Sequence, residues 1–505
     1  MMDFYNASSA SGLEAYNGHG QAQAVLPTEV APQNTDPNAD LSLAQTLAQT
    51  GTQTETTDEA GEKTMLLSSQ PAPGLSANKH GSSSQPMEHF VPPPPNSLEE
   101  TGLDILFIED MIFKLLLAQG VLSGKQISQH LCLPFRLLEP LLMDLKNRLY
   151  LVYRSRTGLG DFTYQLTDQG RERALAARDL SAYVGACPVT FDDYLVGMEH
   201  QSIRQERPNR QALEKAFQDL VLEPHVFDTL GPAINSGRGL FLYGLPGNGK
   251  TSIAERIGRC FKKHMYIPRT ILVDGNLIQL YDPQNHHLHE PKPSDPPMPD
   301  SDSRWVAIQR PVIVVGGELT MEALEIKYNP LVRVCEAPLQ LKANGGIFMI
   351  DDFGRQRINP DELLNRWIVP LEKRIDYLTL PTGRKIQVPF DELILFSTNL
   401  DPSQLVDEAF LRRIPYKIEI KNPDETIFRN LFKMVTRKYG VPYDEDMVTY
   451  LIENHYKAKN RAFRACHPRD IVEQVVNAST YLEQDPQMTP SLLDMACQNY
   501  FAALS

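Results

Sequence analysis

At 505 residues, with 42% hydrophobic and 22% charged side chains, the chain is long enough for more than one folded domain. Its net charge of −14 is concentrated near the start, where 12 acidic and 2 basic side chains fall in the first hundred residues. The remainder carries no broad positive field that would gather nucleic acid or an anionic membrane. Six cysteines stand far apart with no Cys-x-x-Cys pair, no basic-then-apolar leader opens the chain, and no apolar run approaches roughly 18 residues. These features point to a soluble, cytoplasmic chain with reduced thiols and no membrane span.

Residues 1–98 are rich in Ser, Thr, Gln, Ala and Pro and close on Val91-Pro-Pro-Pro-Pro-Asn96. So little apolar surface cannot offset the entropy of ordering, so this leader is expected to be disordered, with the prolines as a stiff spacer. The texture changes at Leu103. An apolar helix is predicted over 103–117, stopped at Gly120; Ser123 caps a second over 124–131, and a third follows over 135–149. Strand-like pieces at 150–154 and 162–166 flank Thr157-Gly-Leu-Gly160, and Thr167 opens another helix. Three helices and a hairpin within 99–178 resemble a winged helix, a small α+β domain. Its third helix would read DNA in such a fold, but Arg136, Lys146 and Arg148 there are offset by Glu139 and Asp144, and Pro140 interrupts them. The wing adds Arg154 and Arg156. A face that tracks phosphates should be more lopsidedly basic, which favours a protein-docking or structural role over DNA.

The region 188–420 holds the chemistry. Leu240-Phe-Leu-Tyr243 reads as a buried parallel strand because nothing in it alternates with polar residues. It feeds Gly244-x-x-x-x-Gly249-Lys250-Thr251 and then a helix start at Ser252. This is the phosphate-cradling P-loop spacing, with Leu245, Pro246, Gly247 and Asn248 between the glycines. Glycines let successive N–H groups turn inward on an anion, and the helix N-terminus adds its dipole. Lys250 supplies a charge for the outer phosphates and the Thr251 hydroxyl a ligand for Mg²⁺. A glycine-rich turn without a ligand would leave Lys250 unexplained, so a nucleoside triphosphate is expected here.

Helical segments are predicted before the loop around 211–222. Beyond its helix, 269–274 reads as the second strand, and 310–317 as a strand inserted ahead of the next core element. Between them lies a proline-rich stretch with His286-His-Leu-His289, read as a solvated loop because no Cys or carboxylate stands at metal-site spacing. Ala343-Asn-Gly-Gly-Ile-Phe-Met-Ile-Asp351-Asp352 is a buried strand ending in two acids. At the carboxyl edge of a parallel sheet these face the phosphates, Asp351 toward Mg²⁺ and Asp352 toward the attacking water as general base. A helix over 361–375 leads to two alternating arms about Thr382-Gly383, a β-hairpin. The strand 393–398 ends at Asn399.

Together these motifs resemble the AAA+ ATPases. Pro188-Val-Thr-Phe-Asp-Asp-Tyr-Leu-Val-Gly197 is similar to the family's lead-in to the P-loop, which implies that Leu195, Val196 and Gly197 lie near the adenine. Leu339-Gln-Leu-Lys-Ala-Asn-Gly-Gly is similar to the same segment in magnesium chelatase subunits, MoxR-like proteins and sigma-factor activators. The hairpin resembles a pre-sensor insertion that touches a partner, with Tyr377, Arg384 and Lys385 as candidates beside a purely structural reading. Asn399 takes the place of sensor 1. Phe410-Leu-Arg-Arg-Ile414 resembles the arginine-finger segment, Arg413 aligning first and Arg412 second. Arg469, in Cys466-His-Pro-Arg469-Asp470, takes the sensor 2 place within a helical lid over 421–505, with His467 a helix-start residue. The family more often has Glu where Asp352 stands, which sets the base one methylene back. The resemblance implies an α/β P-loop sheet with a helical lid, ATP and Mg²⁺ as cofactors, and a homo-oligomeric ring, a hexamer by analogy. It implies either hydrolysis coupled to remodelling of a protein partner or a slowly hydrolysing, DNA-associated switch.

Overall fold

The computed structural model describes residues 90–502 except 159–160, 262–263, 292, 294–296 and 407. The disorder expected for residues 1–89 lies outside these. The last part of that leader departs from expectation. From Phe90 the chain lies against the folded body, with Pro92 and Pro95 buried. The Asp302 amide donates to Pro92 O at 2.9 Å and the Arg136 guanidinium to Pro95 O at 3.1 Å. Phe90 stacks on His200 and meets the edge of Trp305. Composition averaged over a hundred residues hides one aromatic anchor, and prolines, already restricted, lose little freedom on docking.

Helix Ile105–Gln119 begins where Asp104 accepts the Leu106 amide, and it buries Ile108, Met111, Ile112, Leu115 and Leu116, one face at helical spacing. A capping box of Ser123 and Gln126 starts helix Gly124–Leu131. Helix Phe135–Asn147 and the antiparallel strands Leu151–Gly158 and Asp161–Leu166 follow, with the two-residue strand Leu122–Ser123 on the outer edge of Asp161–Leu166. Thr167 then caps helix Asp168–Leu180. Buried Arg304, paired with Asp302, donates to Thr101 O and Pro188 O at 3.1 Å each and fastens this unit to the rest.

The central sheet has five parallel strands in the order Val312–Val315, Ile347–Ile350, Leu393–Thr398, Leu240–Tyr243, Tyr416–Glu419. Their apolar runs are unbroken because both faces are covered. Leu240, Leu242, Ile347, Met349 and Leu395 point to one face, against Ile253 and Ile257 of helix Lys250–Cys260 and Leu230 of helix Pro224–Ser236. Phe241, Phe348, Ile350, Ile394 and Phe396 point to the other, against Trp367 of helix Pro360–Lys373.

The second core strand is therefore Val312–Val315, which had read as an insertion. The segment read as that strand, Thr270–Val273, sits in a separate five-stranded sheet with Val189–Thr190, Asn276–Gln279, Val334–Glu336 and Lys327–Asn329. Both are four-residue apolar runs, and periodicity cannot tell which sheet takes which. The hairpin Ile375–Thr379/Lys385–Pro389 lays Leu378, Ile386 and Val388 into the core of this second sheet.

Helices Glu425–Tyr439, Glu445–Leu451, His467–Tyr481 and Pro490–Phe501 close the chain around Phe428, Phe432, Ile471 and Val475, the second continuing through a π-turn at Ile452–Lys457. Among the described residues no helix is long and apolar enough to cross a membrane. All six cysteines are free thiols.

Trp367 is fully buried against Phe348, Phe390 and Phe396. Trp367→Ala should cost about 3–5 kcal/mol, read as a lower urea midpoint with an unchanged slope.

Candidate nucleotide-binding site

The strand Leu240–Tyr243 ends in Gly244, whose φ of +135° and whose approach to the Ile420 carbonyl (a Cβ would lie 2.3 Å from that oxygen) exclude any side chain. The chain turns and enters helix Lys250–Cys260 through Gly249, at φ +82°. Loop amides and helix N-terminus thus form one concavity, the arrangement that favours anions. Lys250 is 7% exposed. Its Nζ donates to Gly244 O at 2.9 Å, Leu245 O at 3.2 Å and Asn399 Oδ1 at 2.8 Å. Burial lowers its pKa, and the charges of Asp351 and Asp352 oppose that shift.

The acids complete the arrangement. Thr251 Oγ1 donates to Asp351 Oδ2 at 2.6 Å, and the Asp352 amide donates to Asp351 Oδ1 at 3.0 Å. Asn399 turns its carboxamide between two partners, accepting from Lys250 and donating Nδ2 to Asp352 Oδ1 at 2.9 Å. A chain of contacts therefore runs Lys250–Asn399–Asp352 beside a second pair, Thr251–Asp351. Asp352 holds a left-handed backbone, φ +50°, locked by Phe353 N donating to Ser397 O at 2.6 Å.

These groups line one cavity of about 710 Å³, together with Leu245, Pro246, Gly247, Gly249, Ser252 and Arg469. Asn248 is buried and turned away from it, toward Asn422 and Ala465. Arg412 and Arg413 are elsewhere. They line a second cleft of about 650 Å³ with Arg204, Arg238 and Arg374. Arg413 is half-buried with Nε 2.7 Å from Glu372 Oε1, whereas Arg412 is exposed.

The lead-in segment departs from expectation. It forms helix Phe191–His200, with Leu195 packed on the second sheet's core and Gly197 beneath Trp305; none of Leu195, Val196 and Gly197 lines the cavity. Its aromatic anchors find a better apolar surface in the second sheet. Leu220 and Leu431 supply apolar lining instead, with Arg355 four residues past Asp351. Single leucines, one in a turn and one on a helix, carry no sequence signal for such a role. The histidine loop also differs from a solvated stretch. His286 is buried, its Nδ1 accepting the Asp282 amide at 3.0 Å and its Nε2 2.9 Å from Lys342 O. A further hairpin went unread. Lys327–Asn329 and Val334–Glu336 are joined by a turn that leaves Leu331 90% exposed.

A domain of unknown function matches residues 424–499, the helical C-terminal part. No curated protein matches the sequence. Among solved structures, NtrX from Brucella abortus is 14% identical, with 65% of this chain and 66% of that one covered and a TM-score of 0.34. The Holliday junction branch migration motor RuvB of Thermotoga maritima is 14% identical, covering 57% and 73%, with a TM-score of 0.33.

His467 opens the lid helix His467–Tyr481, 3% exposed, with Nδ1 3.0 Å from the Tyr456 hydroxyl. Burial, with Arg464 beside it, lowers its pKa to about 4. The unfolded chain therefore binds the extra proton first as pH falls. Stability should drop between about pH 6.5 and 4, by up to roughly 3 kcal/mol from this group. Urea unfolding across that window should show a shallower pH dependence for His467→Gln than for wild type.

Proposed function

We propose that the chain is an ATPase of the AAA+ kind, binding ATP with Mg²⁺ at the P-loop cavity and hydrolysing it at a contact between copies. The observation that carries this reading is the pair of links Thr251–Asp351 and Lys250–Asn399–Asp352 across the carboxyl edge of the sheet. A buried lysine, a hydroxyl touching a carboxylate, and a second carboxylate held by an amide form the set that triphosphate hydrolysis requires. The hydroxyl and carboxylate oxygens of Thr251 and Asp351 are hard ligands suited to Mg²⁺, which would neutralise phosphate charge. Loop amides and Lys250 hold the phosphates. Asp352 takes the proton from a water that Asn399 helps orient. Arg469 approaches from the lid side.

Arg412 and Arg413, in a separate cleft, suit a role on a neighbouring copy's nucleotide. Five arginines converge on that cleft from four segments, with Glu372 and Asp391 as counter-charges for Arg413 and Arg204. Burial, with the charges of Arg204 and Arg238, pushes the Arg374 pKa down against the pull of Glu392. Excess positive charge of this kind favours an incoming phosphate. Exposed Arg412 is the freer of the two to reach it, and Arg413, held by Glu372, supports it.

Partner contact falls to exposed residues of the two hairpins, Leu331 at the turn of one and Tyr377 and Lys385 on the arms of the other. The helix–hairpin unit at 99–178, taken as a winged helix, serves as a protein adaptor. The candidate DNA-reading charges of its third helix are already engaged. Arg136 binds the proline segment, Arg148 pairs with Glu109 and Asp144, and Lys146 lies over the Tyr153 ring. A salt-dependent gel shift by the full chain, lost on Arg154→Ala/Arg156→Ala, would overturn the adaptor reading.

Asp352→Asn should keep ATP affinity within about twofold while lowering phosphate release by roughly 10²-fold or more. Lys250→Ala should lose both. Mixing Lys250→Ala chains with Arg412→Ala/Arg413→Ala chains, each inactive alone, should restore part of the activity. Mixtures as inactive as their components would rule out arginines acting between copies.

A further inference from the structure

We infer that Asn248, in the middle of the P-loop, is a positioning residue for Arg469, tying the start of the lid helix to the phosphate cradle. Its neighbours Leu245, Pro246 and Gly247 are exposed at the cavity, yet Asn248 is 4% exposed. Both ends of its carboxamide are spent on the lid side. Nδ2 donates to Asn422 Oδ1 at 2.9 Å, and Oδ1 accepts the Ala465 amide at 3.2 Å. A main-chain bond runs alongside, from the Cys466 amide to Gly247 O at 2.9 Å. The packing is equally close, since a Cβ on Gly247 would lie 2.6 Å from Cys466 Sγ.

Three separate stretches meet at this one amide. Asn422 lies between the edge strand Tyr416–Glu419 and the first lid helix, Glu425–Tyr439, where the sheet hands over to the lid. Ala465 and Cys466 immediately precede helix His467–Tyr481, and Arg469 stands in its first turn. From the other side, Asp470 takes the Arg469 guanidinium (Nε to Oδ1 2.8 Å) and the Tyr500 hydroxyl of the last helix (2.8 Å). Arg469 is thus placed by the loop at its back and by the lid's own carboxylate beside it. A carboxamide gives and accepts at once, which Ala, Thr or Asp at this position would not reproduce toward both partners. A shift of the loop as its amides take up phosphate oxygens passes to Ala465 and so to Arg469. By linkage, the lid's position feeds back on phosphate affinity.

This inference rests on the reading of the cavity as an ATP site with Arg469 facing the terminal phosphate. The test is nucleotide titration and steady-state hydrolysis with the full chain carrying Asn248→Ala, Asn248→Asp, Asn422→Ala, Arg469→Ala, or Asn248→Ala with Arg469→Ala. Urea midpoints serve as the folding control. Asn248→Ala should weaken ATP roughly tenfold, the size of one lost hydrogen bond to a charged group, and ADP less than about twofold. Arg469→Ala should do the same, and the double variant should be no worse than either single one. Asn422→Ala, outside the loop, and Asn248→Asp, which keeps only the Ala465 contact, should each show a smaller loss of the ATP-over-ADP preference. Equal weakening of ATP and ADP, or losses that multiply in the double variant, would place Asn248 in the loop's own integrity and overturn the inference. A wild-type chain that binds neither nucleotide would instead remove the ATPase reading, and this inference with it.

Discussion

The structure depends on the register of three adjacent parallel strands, two of them ending level and the third, Ile347–Ile350, two residues earlier. Thr398 stands opposite Tyr243, and Ile350 opposite Phe396, so the loop, the two acids and the asparagine emerge at one edge of the sheet. A buried ammonium then joins what the register has aligned. An unpaired charge at 7% exposure would be costly, and Lys250 avoids that cost by taking three oxygens, two from the loop and one from the neighbouring strand's end. The cage that keeps the lysine charged is also the one that holds loop and asparagine in register. Any slip of Leu393–Thr398 by one residue would turn its side chains to the opposite faces and remove Asn399 from reach.

Around this edge the chain makes a long excursion. After helix Lys250–Cys260 it leaves for the second sheet and the antiparallel pair Met265–Pro268/Trp305–Ile308, and returns only at Val312. The excursion carries Arg304, whose buried fork holds the N-terminal unit by two main-chain carbonyls. Tyr183 adds a hydroxyl 2.9 Å from Thr270 Oγ1, and Leu272 packs into the N-terminal unit's core. The N-terminal unit is therefore bolted to the body, and a partner held there would move with the sheet.

What the sequence made legible follows from which signals are local. The loop with Gly247, Gly249 and Lys250, the paired acids and Asn399 each follow a strand end marked by an abrupt change from apolar to polar residues, and the structure brings them to one cavity. Helix Pro224–Ser236 was not legible, because Gly231 and Pro232 in its interior read as breakers; tertiary cover from Leu213, Phe217 and the sheet outweighs that cost. Leu220, Leu431 and Arg355 gave no signal either, since their place at the cavity is fixed by how the turn after helix Arg210–Ala216, the lid and the turn after Asp352 fold back. The exchange of 270–273 for 312–315 has the same origin. Strand membership depends on partners far along the chain, which four apolar residues do not specify.

The left-handed turn at Asp352 has a consequence for which acid can stand there. Among residues with a Cβ, Asp and Asn tolerate positive φ best, because their short polar side chains satisfy neighbouring main-chain groups. A Glu at φ +50° would forgo that ease. The bend after Ile350 therefore favours the shorter carboxylate, and Asn399, leaning in from the adjacent strand, donates to its Oδ1. Backbone shape, beside side-chain length, favours Asp at this corner of the sheet.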